Sequence, residues 1–172
     1  KTCLKNAADK SFNRITVDSD TSTNDSCMLS ATGVSGVDID SDENARIQFT
    51  QVLNEVCLEL AQGIIRDGEG ATKFVAVEVG SSALQSDCLN IGYAIANSPL
   101  MKTALFASDA NWGRLVMAIG KAPVDIDVTK LDIFLGDVQL MSAGQKSVEY
   151  TEEMGSEVMA KADIVIRVEL NA

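Results

Sequence analysis

Between Ser11 and Ser26 the chain reads Ser-Phe-Asn-Arg-Ile-Thr-Val-Asp-Ser-Asp-Thr-Ser-Thr-Asn-Asp-Ser, and every side chain after Val17 carries a hydroxyl, carboxylate or amide. Short polar groups at this density could do one of three things. They can close a surface loop on itself, because Ser, Thr, Asn and Asp bond to nearby backbone and favour turns. They can ligate calcium, since Asp18, Asp20, Ser22 and Asn24 alternate. The glycine and terminal glutamate of a calcium loop are missing, however, and Leu29 stands where the glutamate belongs, so calcium is rejected. Lastly, Thr21, Ser22 or Thr23 could act as a nucleophile; with no base nearby they are ordinary weak hydroxyls, better suited to positioning than to attack.

A second segment, Arg66-Asp67-Gly68-Glu69-Gly70-Ala71-Thr72-Lys73-Phe74, has the glycines of a phosphate loop but not its order. Lysine follows threonine, a strand rather than a helix comes next, and two carboxylates would repel phosphate. The two glycines supply left-handed conformations that end a helix and lead into a strand. That explanation leaves Glu69 over. A carboxylate flanked by glycines on a loop can project into a cleft and hold the ammonium group of an amino-acid substrate.

The chain contains no histidine. Ser-His-Asp and Cys-His catalysis, histidine-ligated zinc and imidazole acid–base chemistry are therefore excluded within it. Proton transfer must use a carboxylate, lysine, cysteine, tyrosine, water or a terminal amine.

The elements that must position these groups follow from apolar spacing. Residues 2–10 predict the end of a helix; 15–17 and 27–32 predict strands on either side of the polar run, with a turn at Gly33–Gly36. Asp40 is the expected N-cap of the clearest helix, with Glu43 at capping-box spacing. Phe49, Val52, Leu53, Val56, Leu60 and Ile64 recur along it from about residue 42 to 65. A strand over 72–80 carries Val75, Val77 and Val79 on one face. Helices are expected near 84–95, 100–106, 112–119 and 151–161, strands at 131–135 and 138–141 joined about Gly136-Asp137, and a final alternating strand at 164–170. Alternating helices and strands without repeats indicate an α/β (α+β layered) fold, and residues 1–172 are expected to form a single region.

With 172 residues, 46% apolar, the chain can bury a sizeable core. Its net charge of −11 would repel nucleic acid and anionic membranes. No apolar run is long enough to span a membrane, and Lys1 to Lys10 lacks a signal-peptide centre, so a soluble, cytoplasmic protein is expected. Cys3, Cys27, Cys57 and Cys88 are widely spaced; apolar flanks predict the last three to be buried thiols rather than disulfides.

Three blocks carry a family resemblance. SFNRITVDSDTSTND resembles the SFN-x-ITVDGDTSTND signature of the ornithine acetyltransferase (glutamate N-acetyltransferase) family, with Ser19 in place of the usual glycine. Asp67 to Phe74, DGEGATKF, is similar to a second signature. Ser98 to Ala104 followed by Ser108 to Arg114 resembles the SPL-x-KTA and D-x-NWGR pattern. The blocks occur in family order between Ser11 and Arg114. For Asn111-Trp112-Gly113-Arg114 a helix N-terminus with a packed indole is preferred to direct catalysis, and Lys73 and Lys102 are expected to be solvated or ion-paired.

The resemblance implies a self-cleaving sandwich of sheets and helices that transfers acetyl from N-acetylornithine to glutamate, with no cofactor. The nucleophile is the threonine exposed by self-cleavage, and it is not in this chain. Thr2 lacks the Ala-Thr-Met-Leu junction; the Thr-Gly oxyanion pair lies upstream and the C-terminal asparagine and threonine of the substrate site lie beyond Ala172, so Asn171 is no substitute. The chain is expected to be most of the β subunit, inactive alone, with an α chain from the same precursor as partner in an α2β2 assembly. No catalytic or metal-binding residue is assigned within it, and Glu69 alone is carried over as substrate-binding. Whether acetyl-CoA also donates is left open by the resemblance. Alternatives are a non-enzymatic binding or assembly domain, or a related self-cleaving amidase or aminopeptidase.

Overall fold

The long helix expected near residue 42 dominates the first of two units into which the chain divides, residues 1–69 and 70–172. The computed structural model describes residues 1–82 and 84–172. In the first unit, α1 (Thr2–Lys10) and a 3-10 turn (Phe12–Arg14) precede a long excursion over residues 15–42 and then α2 (Glu43–Arg66). Asp42, not Asp40, caps α2: its backbone is extended and its carboxylate accepts the Ala45 N–H at 3.0 Å. Asp40 is still within a turn, donating its own N–H to Asp38 Oδ1 at 3.0 Å. Only the residue immediately before the first helical turn can reach the orphan amides, which is why the cap moves by two positions.

Two further expectations fail here. The buried residues of α2 are Leu53, Cys57 and Ala61, whereas Val52, Val56, Leu60 and Ile64 are exposed. Ala7 of α1 clusters with Leu53 and Cys57, flanked by Cys3, Phe12 and Phe49, and a helix of nine residues can cover only one strip of a longer one. The strands expected at 15–17 and 27–32 are absent among the described residues. A strand is held by a partner's ladder, and none is offered to this excursion, where polar side chains bond to their own backbone instead. Cys27 is consequently exposed and only Cys57 is buried; Cys3 and Cys88 are intermediate, and all four thiols are free. Burial, and secondarily Cys27, pushes the Cys57 thiol up from its ordinary pKa.

The second unit is a five-stranded mixed sheet: β1 (Phe74–Gly80), β2 (Asp132–Leu135), β3 (Val138–Ser142), β4 (Gln145–Lys146) and β5 (Asp163–Glu169) in the order β1-β5-β2-β3-β4. β1 and β5 are parallel; the other neighbours are antiparallel. Helices α3 (Gln85–Ala96), α4 (Pro99–Phe106), α5 (Trp112–Gly120) and α6 (Glu152–Met159) lie close to the expected spans. The final strand alternates as the sequence requires. Ile164, Ile166, Val168 and Leu170 are 1%, 1%, 0% and 4% exposed, against 38% for Val165. They join Ile91 and Ile95 of α3, Leu115 and Ile119 of α5 and Met159 of α6 in one core, against which Val75, Val77 and Val79 pack. Arg167 lies on the sheet's other face, its guanidinium 4.2 Å from the centroid of the Phe134 ring.

The hairpin about Gly136-Asp137 is present, with Gly136 at φ +58°. A second hairpin, unanticipated, turns β3 into β4 through Ala143 and Gly144 at φ +48° and +74°. Two consecutive left-handed residues give the tight turn whose twist matches that of the strands. No helix among the described residues is long and apolar enough to cross a membrane.

Candidate functional site

The conspicuous polar segment has an anchored start and an exposed remainder. Ser11 is buried and its Oγ donates to Ala7 O at 2.7 Å, closing the end of α1. Asn13 Nδ2 donates to Asp9 Oδ1 at 2.9 Å and Arg14 Nε to Asp9 O at 3.2 Å. The hydrogen bond from Lys5, then that from Asn13, lowers the Asp9 pKa below its ordinary value. Beyond this anchor the loop satisfies itself: Asp18 Oδ1 accepts the Asp20 N–H at 2.9 Å, and Ser22 Oγ accepts the N–H groups of Asn24 and Asp25 at 3.3 and 3.1 Å. Thr21, Ser22 and Thr23 are all exposed.

Ser19, the one departure from the resembled signature, sits at φ +81°. Only glycine occupies that region without steric cost, which supplies a physical reason for glycine at the position. Ser19→Gly is expected to raise stability by about 0.5 kcal/mol, since relief of backbone strain exceeds the added unfolded-state entropy. Chemical denaturation would show it as a higher midpoint at unchanged slope.

At the other end of α2, the Asp67 N–H donates to Gly63 O at 3.0 Å and the Gly68 N–H to Ile65 O at 3.3 Å. Gly70 adopts φ +71°, but Gly68 is not left-handed, so one glycine rather than two makes the reversal. The helix end is already closed by the Asp67 and Gly68 amides, and a single left-handed residue then suffices. Glu69, the last residue of the first unit, is exposed, and no described residue holds its carboxylate in a hydrogen bond or ion pair. Such a group can accept charge-assisted hydrogen bonds from an ammonium ion. Lys73, four residues on, is half-buried.

The third block lies wholly in the second unit and is structural in detail. Ser98 Oγ caps α4 by accepting the Met101 N–H at 3.4 Å, with Pro99 in the first turn. Asn111 Oδ1 caps α5 through the Arg114 N–H at 3.1 Å, and its Nδ2 donates to Asp109 Oδ2 at 3.1 Å. Trp112 packs, half-buried, against the core. Arg114 then reaches back to α4: Nη1 donates to Leu100 O and Thr103 Oγ1, each at 3.0 Å. The preferred assignment, a helix start with a packed indole, matches this geometry, and spacing alone did not reveal the Arg114 staple between two helices. Arg114→Ala is expected to cost about 1 kcal/mol, a few degrees in Tm, because these bonds are partly solvated. A melt of Arg114→Lys, which keeps the charge but loses the fork, should fall between.

A cleft of about 340 Å³ in the second unit is lined by Asn90, Tyr93, Asn97 and Lys121, none of them singled out by sequence. The groups with chemical potential are thus an exposed hydroxyl-rich loop and Glu69, with the third block serving as scaffold.

The whole chain, residues 1–172, matches the family described as the ArgJ family. It is 54% identical over 172 residues to the arginine biosynthesis bifunctional protein ArgJ of Pseudomonas syringae pv. tomato, covering 97% of this chain and 42% of that protein. The protein of the same name from Psychrobacter arcticus is 50% identical over 165 residues, 94% of this chain and 40% of the relative. The chain therefore spans well under half the length of these curated relatives. A crystal structure of the arginine biosynthesis bifunctional protein ArgJ from Bacillus halodurans superposes with a TM-score of 0.90 at 34% identity, over 99% of this chain and 80% of that one. Matched from end to end in sequence and in fold, this chain belongs to the ArgJ family.

Proposed function

We propose that these residues form most of the second, β, chain of a two-chain glutamate N-acetyltransferase that moves acetyl from N-acetylornithine to glutamate in arginine biosynthesis, in the cytoplasm. The observation that carries this is the family match across residues 1–172 together with 54% identity to a protein named for arginine biosynthesis. A second observation supports two chains. The matched Bacillus halodurans chain is 80% covered by these residues but the Pseudomonas syringae protein only 42%, so the solved chain is roughly half as long, as a cleaved product would be.

In this mechanism the nucleophile is a threonine made N-terminal by self-cleavage, outside these residues. Its hydroxyl oxygen attacks the acetyl carbonyl of N-acetylornithine while its own α-amine, with an ordinary pKa of about 7.7–8.0, takes the hydroxyl proton. The amide C–N bond breaks, that proton passes to the departing ornithine amine, and acetyl remains as a threonine ester. The amine of glutamate then attacks the ester and carries acetyl away, restoring the hydroxyl. Donors around the developing oxyanion lower both barriers. A terminal amine as base suits a chain with no histidine. Glu69 contributes binding: its exposed carboxylate, with no partner among the described residues, receives the substrate's ammonium group. The partner is an α chain from the same precursor, in an α2β2 assembly.

The complete precursor, expressed and supplied with N-acetylornithine and isotopically labelled glutamate, should cut itself into two chains and yield labelled N-acetylglutamate by mass spectrometry. An intact wild-type precursor that neither cleaves nor transfers acetyl would remove the assignment and leave a binding or assembly domain. Release of free acetate in place of N-acetylglutamate would favour an amidase. Added acetyl-CoA, in the same assay, tests for a second donor.

A further inference from the structure

Helix α2 is too apolar for the company it keeps. At 100° per residue Gln48, Gln51, Glu55, Glu59, Gln62 and Arg66 fall within one narrow arc, and the remaining roughly two-thirds of the circumference is mainly apolar, interrupted by Glu43, Arg46, Thr50 and Asn54. Of α2 itself only the strip Leu53, Cys57 and Ala61 is buried among the described residues. Beside it runs an unbroken row at four-residue spacing, Val52, Val56, Leu60 and Ile64, exposed by 56%, 46%, 57% and 53%. A row of four branched aliphatic side chains, three of them β-branched, makes a flat apolar surface, and continuous surfaces of this kind mark an interface rather than a solvated face. The same unit exposes a second apolar element, Met28 and Leu29, in a segment with the composition of a strand but no ladder.

We infer that the Val52-Val56-Leu60-Ile64 row of α2 is a docking face for the remainder of the ArgJ polypeptide, the part of the family's length that these residues do not include. This rests on the two-chain reading above and adds a surface on which the missing polypeptide packs. The occupant follows from length. These residues span 42% of the Pseudomonas syringae relative and 40% of the Psychrobacter arcticus one, so more than half of each protein is available to cover the row. A second copy of this chain is the weaker occupant, because the chain carries a net charge of −11 and each copy would bring the same repulsion.

The test uses the complete protein. Val56→Cys and Gln51→Cys are made separately, and labelling of each new thiol by a maleimide is followed peptide by peptide; valine to cysteine removes too little volume to unfold a helix that is exposed in this unit. Coverage predicts labelling at least ten-fold slower at position 56 than at 51, and equal rates would overturn the proposal. A photoreactive benzophenone side chain at Leu60 identifies the occupant. Cross-links to polypeptide outside residues 1–172 support the proposal; cross-links to residues 70–172 or to another copy of this stretch overturn it. Acetyl transfer is assayed in the same preparations. Loss of transfer by the wild-type protein with the cross-link retained would sink the functional reading and leave the docking face standing.

Discussion

Glu69→Ala in the complete protein is expected to lower kcat/KM for N-acetylornithine and glutamate by about 10- to 100-fold, while precursor cleavage proceeds normally. The magnitude is that of one hydrogen bond to a charged group, about 1.5–3 kcal/mol, expressed as a rate ratio. The location makes the separation of effects sharp. Glu69 is exposed, holds no described partner and follows a helix end already closed by the Asp67 and Gly68 amides, so its removal takes nothing from the fold. Glu69→Gln keeps the shape and one acceptor but removes the charge, and should recover part of the loss. A fall expressed mainly in KM would mean that the carboxylate holds substrate and transition state alike; equal falls in kcat and kcat/KM would place its contribution in the transition state. Kinetics identical to wild type in both variants would reduce Glu69 to a loop residue.

A larger cost in stability is expected at Gly144→Ala: about 3 kcal/mol, seen as a fall in Tm of roughly 10 °C for a unit of this size. A Cβ at that position would lie 2.0 Å from Val128 O and 2.9 Å from Val128 C, and both are backbone atoms. They belong to the 3-10 turn Val128–Lys130 that leads into β2, so room can be made only by moving one strand's entry or opening the β3–β4 hairpin. The N–H of Gly144 also donates to Leu131 O at 2.9 Å, a bond the displacement would stretch. Positive φ adds its own penalty for alanine. Gly36→Ala is the matched control. It shares the left-handed backbone, φ +70°, but a Cβ there meets nothing within 4 Å, so only about 1 kcal/mol is at stake. Equal losses in the two variants would show that backbone conformation, not the approach of Val128, sets the cost.

Periodicity located α2, β1, the four helices of the second unit, the Gly136 hairpin and the final strand, because each of these is dictated by neighbours in sequence. In β5 the alternation of Ile164, Ile166 and Val168 with Val165 and Arg167 is sufficient: one face must go inward, and it does. The same reasoning failed for α2, where too many apolar positions left the buried strip undetermined. α1 selected Leu53 and Cys57, and left Val56 and Leu60 in the open.

Resemblance in three motifs reached the family, and the end-to-end match bears it out. What those motifs do is divided by the fold. Ser98 to Arg114, for all its distinctiveness, is fastened by Arg114 into a two-helix scaffold, whereas Glu69 is left without a partner among the described residues. Residue types and their order, then, determined the family, most of the elements and the one carboxylate worth testing, since local pattern and motif are properties of the chain itself. Only the tertiary structure decided which face of α2 is buried, that the segment around Cys27 forms no strand here, and why glycine is demanded at position 144. Each of these depends on what arrives from elsewhere: a second helix, a partner strand, or a carbonyl sixteen residues upstream whose oxygen would lie 2.0 Å from a Cβ at position 144.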